Sequence, residues 1–147
     1  MNAIEIENKV RSLPDTRRYF KGVFSCDNMP IETTPYCFIV NTEPSNEPGD
    51  HWLALWVDKE SVEFFDTYGR NPWNSMFSPL FSSFVGHRKC MYNTVVLEGV
   101  FSKTCGEFSI YYISLRCAGF TFEEILNSFS VNVIVNDKLV KRFTSWI

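Results

Sequence analysis

Apolar positions fall into two rhythms along this chain. Tyr36 to Asn41 (YCFIVN) is a nearly unbroken apolar run, the pattern of a strand buried on both faces. A polar stretch rich in Pro and Gly, TEPSNEPGD, interrupts it. Residues 51–57 (HWLALWV) and 61–66 (SVEFFD) then flank Asp58-Lys59, which predicts a β-hairpin. Residues 91–97 (MYNTVVL) predict one more strand.

Helical spacing fills the rest. Ile4, Val10 and Leu13 suggest a short helix over 3–13, and residues 74–85 a second one interrupted by Pro79. Thr104 opens a third: Thr104-Cys105-Gly106-Glu107 fits a capping box, with Phe108, Tyr111, Tyr112 and Leu115 following at helical spacing. Gly119 can end it. Thr121-Phe122-Glu123-Glu124 is a second capping box, for a helix through about Phe129. Asn136 is the expected cap of a last helix carrying Leu139, Val140, Phe143 and Trp146. The expected architecture is one α+β domain over 1–147. It has a small central, mostly antiparallel sheet with helices on both faces.

Composition narrows the function classes. With 147 residues, 45% hydrophobic and 21% charged, the chain can bury a real core. A net charge of -3 offers nucleic acid no global attraction, and the basic pairs Arg17-Arg18, Arg88-Lys89 and Lys141-Arg142 read as solvated surface. No apolar run is long enough to predict a membrane span, and MNAIEIENKV does not read as a secretory signal. The five cysteines are irregularly spaced, without a C-x-x-C pair, and there are two histidines. That argues against a zinc site and a disulfide framework, and for a reducing compartment with one functional thiol.

The hairpin supplies candidate chemistry. Pairing Val57 with Glu60 sets Leu55 opposite Val62, Leu53 opposite Phe64 and His51 opposite Asp66, an imidazole beside a carboxylate. That is the base-and-orienter half of a triad. Cys105, first after the Thr104 cap, is the candidate nucleophile. A helix N-terminus and a nearby imidazolium both lower a thiol pKa. Gly106 is expected to leave room beside the sulfur for a substrate backbone, and the Cys105 N–H to face an oxyanion. Each residue also has a plainer reading: a structural strand histidine, a buried cysteine, an aspartate that starts the turn Asp66–Gly69. Cys37 and Cys117 read as core. Spacing alone does not bring Cys105 to the hairpin.

The run YFKG, CFIVNT, HWLALWV, FFDTYG and KTCGEF, over roughly residues 4–120, resembles the adenovirus endopeptidase family, cysteine proteases of the ubiquitin-like-modifier protease clan. The resemblance implies a His–acid–Cys triad carried by His51, Asp66 and Cys105. It implies cleavage of protein substrates near small residues or Gly, as in the maturation of viral structural precursors. The acting location would be a virion, or the host nucleus or cytoplasm. Trp52 would line the cleft, or pack in the core. No cofactor or metal is expected, and a monomer is. The family's peptide activator would engage Cys90, whereas the acidic charge weakens any DNA stimulation. The family's oxyanion glutamine falls at Glu98 here, and the chain contains no glutamine at all. An ionised Glu98 cannot donate to an oxyanion. An isopeptidase acting on ubiquitin-like modifiers, and a weakened pseudoenzyme or binding module, stand as alternatives.

Overall fold

The computed structural model describes residues 1–43, 51–74 and 78–147. Most of the polar stretch after Asn41, and residues 75–77 of the expected second helix, lie outside them.

Five strands form one sheet in the order β1 (Phe20–Ser25), β2 (Tyr36–Asn41), β3 (Trp52–Val57), β4 (Ser61–Phe65) and β5 (Lys89–Tyr92). The inner pairings, β2 with β3 and β3 with β4, are antiparallel. The outer ones, β1 with β2 and β4 with β5, are parallel, so the sheet is mixed. The sequence pattern did not reveal β1: Lys21 and Gly22 break its apolar run, Gly22 has φ 131°, and the pairing to β2 slips there. β5 starts earlier than expected and stops at Tyr92. Asn93–Glu98 form a loop instead.

Alternation along the strands divides the core in two. Cys37, Ile39, Ala54, Trp56 and Phe65 face helices α1 (Ala3–Arg11), α3 (Cys105–Cys117), α4 (Phe122–Asn127) and α5 (Val133–Ser145). Tyr36, Phe38, Val40, Leu53, Leu55, Val57, Val62 and Phe64 face α2 (Ser78–Val85) through Phe81 and Val85. Helices therefore cover both faces, which is why β2 and β3 carry apolar residues at successive positions.

The hairpin register differs from the expectation. Leu55 pairs with Phe64 and Val57 with Val62, and the Asp58 N–H donates to the Ser61 carbonyl at 2.8 Å. The turn is thus Lys59-Glu60 rather than Asp58-Lys59. The slip is two residues, an even number, so every side chain keeps its face.

Two helix starts also differ. Helix α5 begins a turn early, capped by Asn132. Asn136 lies inside it, fully buried, donating from Nδ2 to the carbonyls of Leu97 and Ser130 at 3.1 and 2.8 Å. At α3 the Thr104 capping box does not form, because the Thr104 side chain has other partners. The box at Thr121 and Glu124 forms as expected.

Candidate active site

His51 lies one residue before β3 and Asp66 one residue after β4, both beyond the paired part of the hairpin. With the register shifted, they meet on a diagonal rather than directly opposite. Nε2 of His51 is 2.8 Å from Oδ1 of Asp66, and both residues are buried. This leaves Nδ1 as the imidazole nitrogen that Asp66 does not engage.

Asp66 is held on every side. The Tyr68 N–H donates to its Oδ1 at 2.9 Å and the Arg70 guanidinium to its Oδ2 at 3.1 Å. Its backbone is gripped by Asn93, whose Oδ1 accepts from the Asp66 N–H at 3.0 Å and whose Nδ2 donates to the Asp66 carbonyl. The turn closes from the Gly69 N–H to the Asp66 carbonyl at 2.9 Å. Gly69 has φ 63°, and a Cβ there would lie 2.7–2.8 Å from the backbone of Thr94 and Val95, so this position needs glycine. Asn93, Tyr68 and Arg70 had no signature in the sequence beyond their closeness to Asp66 or to a strand end.

Cys105 is the first residue of α3, and its N–H is one of the helical donors without an intrahelical acceptor. The ligand atoms of Cys105, His51 and Glu98 all lie within 4.8 Å of one another. The fold thus brings Cys105 beside the hairpin, which spacing alone does not. Burial alone would lower the His51 pKa. Hydrogen bonding to the Asp66 carboxylate and to the Cys105 sulfur outweighs it and lifts the pKa to about 9. Burial would likewise raise Asp66, but the His51 and Tyr68 hydrogen bonds and the Arg70 charge hold its carboxyl below the ordinary range. The imidazole is therefore protonated at neutral pH, between a carboxylate and a sulfur.

Glu98 is buried and surrounded by donors: the Thr67 hydroxyl, the Ser102 hydroxyl at 3.2 Å and the Thr104 N–H at 3.1 Å. Thr104 Oγ1 lies 3.2 Å from the same carboxylate and donates to Oδ1 of Asp137, on α5, at 2.7 Å. Oδ2 of Asp137 accepts from the Gly99 N–H at 3.1 Å. Two buried carboxylates thus brace the loop 98–104 that delivers Cys105. Lys103, with φ 53°, is the described non-glycine residue in a left-handed conformation, two positions before the sulfur.

The remaining candidates are placed as follows. Trp52 is half-buried on the face of the sheet that α1, α3, α4 and α5 cover, and its indole N–H donates to the Met1 carbonyl at 3.3 Å. Gly106, expected beside the substrate, instead packs against α1. Its Cβ direction is filled by Ile6 Cδ1 at 3.3 Å and Met1 Cβ at 3.4 Å. Cys90 sits on the edge strand β5, half-buried on the α2 side of the sheet, where burial pushes its thiol up to about 11. Cys37 and Cys117 are core-packed neighbours, with sulfurs 3.6 Å apart.

No protein-family model matches the chain. Over 100 aligned residues it is 24% identical to a cysteine protease of African swine fever virus, covering 61% of this chain and 37% of that protein. The chain thus spans well under half the length of that curated relative. An overlay on the crystal structure of an African swine fever virus protease covers 71% of this chain and 42% of the other, at 20% identity and a TM-score of 0.46.

Proposed function

We propose that this chain is a cysteine endopeptidase, with Cys105 as nucleophile, His51 as acid–base and Asp66 as the group that orients it. The observation that carries the reading is the meeting of the Asp66-bound imidazole with a sulfur at a helix N-terminus. A cysteine protease is also what the partial sequence relative is named.

In this reading the Cys105 sulfur attacks the scissile carbonyl. The Cys105 N–H, held by the braced loop, donates to the developing oxyanion. The protonated His51 then gives its proton to the leaving amine, and an acyl-enzyme remains for water to hydrolyse. Val100 and Phe101 are 79% and 93% exposed on the loop that leads into Cys105, and they offer apolar contacts to a protein substrate. Substrates with small residues or Gly at the cut bond, a role in processing viral structural precursors, and a peptide activator are parts of the proposal that rest on the resemblance alone. The half-buried Cys90 lends the activator no support.

Cys105→Ala tests the assignment. Turnover of a Gly-rich peptide panel should vanish while the circular dichroism spectrum stays native. Undiminished turnover in that variant would sink it. Glu98 favours one competing reading, a chain with weakened chemistry, because an acceptor stands where the resembling family has a donor. Absence of turnover together with rapid iodoacetamide labelling of Cys105 would point there. Preference for Gly-Gly fusions of ubiquitin-like proteins over short peptides would point instead to the isopeptidase.

A further inference from the structure

Counted along the chain, metal ligands look sparse, but the fold gathers three kinds at one place. The ligand atoms of His51, Glu98 and Cys105 all lie within 4.8 Å of one another, and the three residues are buried. From this juxtaposition we propose that the nucleophile pocket is also a transition-metal site. A zinc-class ion would be held there by the Cys105 sulfur, Nδ1 of His51 and a Glu98 carboxylate oxygen, blocking the thiol reversibly.

Thiolate, imidazole and carboxylate are the three ligand types zinc takes, at about 2.3, 2.0–2.1 and 2.0–2.2 Å. Tetrahedral bonds of those lengths set ligand atoms about 3.3–3.6 Å apart, which small side-chain rotations reach from the observed grouping. Charge also balances. One thiolate and one carboxylate neutralise the dication and the imidazole binds neutral, so the ion and its three ligands carry no net charge, while Asp66 keeps the Arg70 guanidinium as its partner. Three protein ligands leave a fourth position to water.

The supporting shell is already built. The Asp66 carboxylate holds Nε2 of His51 at 2.8 Å, the carboxylate–histidine arrangement that fixes a metal-binding imidazole with its lone pair on the other nitrogen. Glu98 is steadied by Thr67, Ser102 and Thr104, so its carboxylate is positioned before any ion arrives. A glutamine at 98 would offer only a neutral amide oxygen. The residue that suits an oxyanion poorly is therefore the one that completes a metal site.

The inference shares its pocket with the peptidase reading but draws on geometry rather than activity, and its test does not measure turnover. Titrating the full, reduced chain with Co²⁺ should give a thiolate-to-cobalt charge-transfer band and intense tetrahedral d–d bands, both abolished by added Zn²⁺. Equilibrium dialysis should return one Zn²⁺ per chain. Cys105→Ser should remove the charge-transfer band although four cysteines remain. Glu98→Gln and Glu98→Asp should each weaken Co²⁺ binding at least tenfold, and Asp66→Asn about 10–100-fold. A charge-transfer band that survives in Cys105→Ser would overturn the proposal. So would unchanged affinity in a natively folded Glu98→Gln or Glu98→Asp. A chain that binds cobalt this way but cuts no peptide would leave the metal site standing and the peptidase reading fallen. One that cuts peptides and gives no cobalt band would do the reverse.

Discussion

The imidazole of His51 lies nearly flat against the ring of Tyr68, with centroids 4.6 Å apart and planes 22° apart. Tyr68 also gives its N–H to Asp66 and carries the Arg70 guanidinium 5.2 Å from its own ring centroid. One residue thus fixes both members of the His51–Asp66 pair. Tyr68→Phe keeps the ring and should retain most peptide turnover. Tyr68→Ala frees the imidazole to swing, and since misplacement by about 1 Å can cost about 10²-fold, turnover should fall by at least tenfold. Steady-state kinetics on one peptide decide between them.

The raised pKa of His51 predicts how stability depends on pH. Folded, it holds its proton to about 9, against an ordinary 6.5 when unfolded. Its stabilisation is full below 6.5 and drains as pH rises through 9, a change on the order of 3 kcal/mol. Asp66, with its lowered pKa, acts in the opposite sense: its contribution is present above its ordinary 3.8 and is lost as pH falls through the folded value. Urea midpoints should therefore decline from pH 6.5 to 9.5, and His51→Ala should flatten that decline. Peptide turnover should show an alkaline limb near 9, moved to lower pH in Asp66→Asn.

At Glu98 the structure separates charge from shape. In Glu98→Gln the amide oxygen can accept from the Thr104 N–H while the amide nitrogen donates to the Thr67 hydroxyl, which can turn to accept. The fold should hold, and removing a negative charge beside the developing oxyanion should raise turnover. Glu98→Ala instead leaves the buried Thr104 N–H and Thr67 hydroxyl without their acceptor, at about 1–3 kcal/mol each. That variant should melt earlier and turn over more slowly. Thermal melts and kinetics on both variants check the contrast.

Far from the site, Arg116 near the end of α3 makes a two-pronged pair with Glu63 of β4, at 2.9 and 2.8 Å, and lies 4.4 Å from the Trp56 ring centroid. Tyr112 donates to the same carboxylate. Arg116→Met leaves the buried Glu63 without its counter-charge and should cost about 3–5 kcal/mol, whereas Glu63→Met with Arg116→Met and Tyr112→Phe, which removes the hydroxyl that would lose its acceptor, should recover much of that. Urea denaturation of the single and triple variants measures it.

The two-sided core, the hairpin and the helix that starts at Cys105 were legible because each rests on local periodicity. The hairpin register was not. Apolar residues occupy both faces, so Leu55 finds an apolar partner in either Val62 or Phe64, and alternation cannot tell registers two residues apart. His51 and Asp66 still meet because an even slip preserves the face. Thr104 carried a genuine capping signal, yet Glu98 and Asp137 take its hydroxyl instead, and Asp137 is 33 residues away. Asn93 has no local signature at all, since its two bonds to the Asp66 backbone exist only once β4 and β5 lie side by side.

The contact between Trp52 and Met1 bears on how this protein should be produced. The first residue lies against Trp52 and Gly106, the immediate neighbours of His51 and Cys105. A purification tag fused ahead of Met1 would start from this contact, next in sequence to both candidate catalytic residues, tethered at an effective concentration on the order of millimolar. Such a tag would compete with added peptide as a built-in pseudosubstrate, and could be cut by the chain that carries it. Rates measured on tagged and untagged protein should not be pooled.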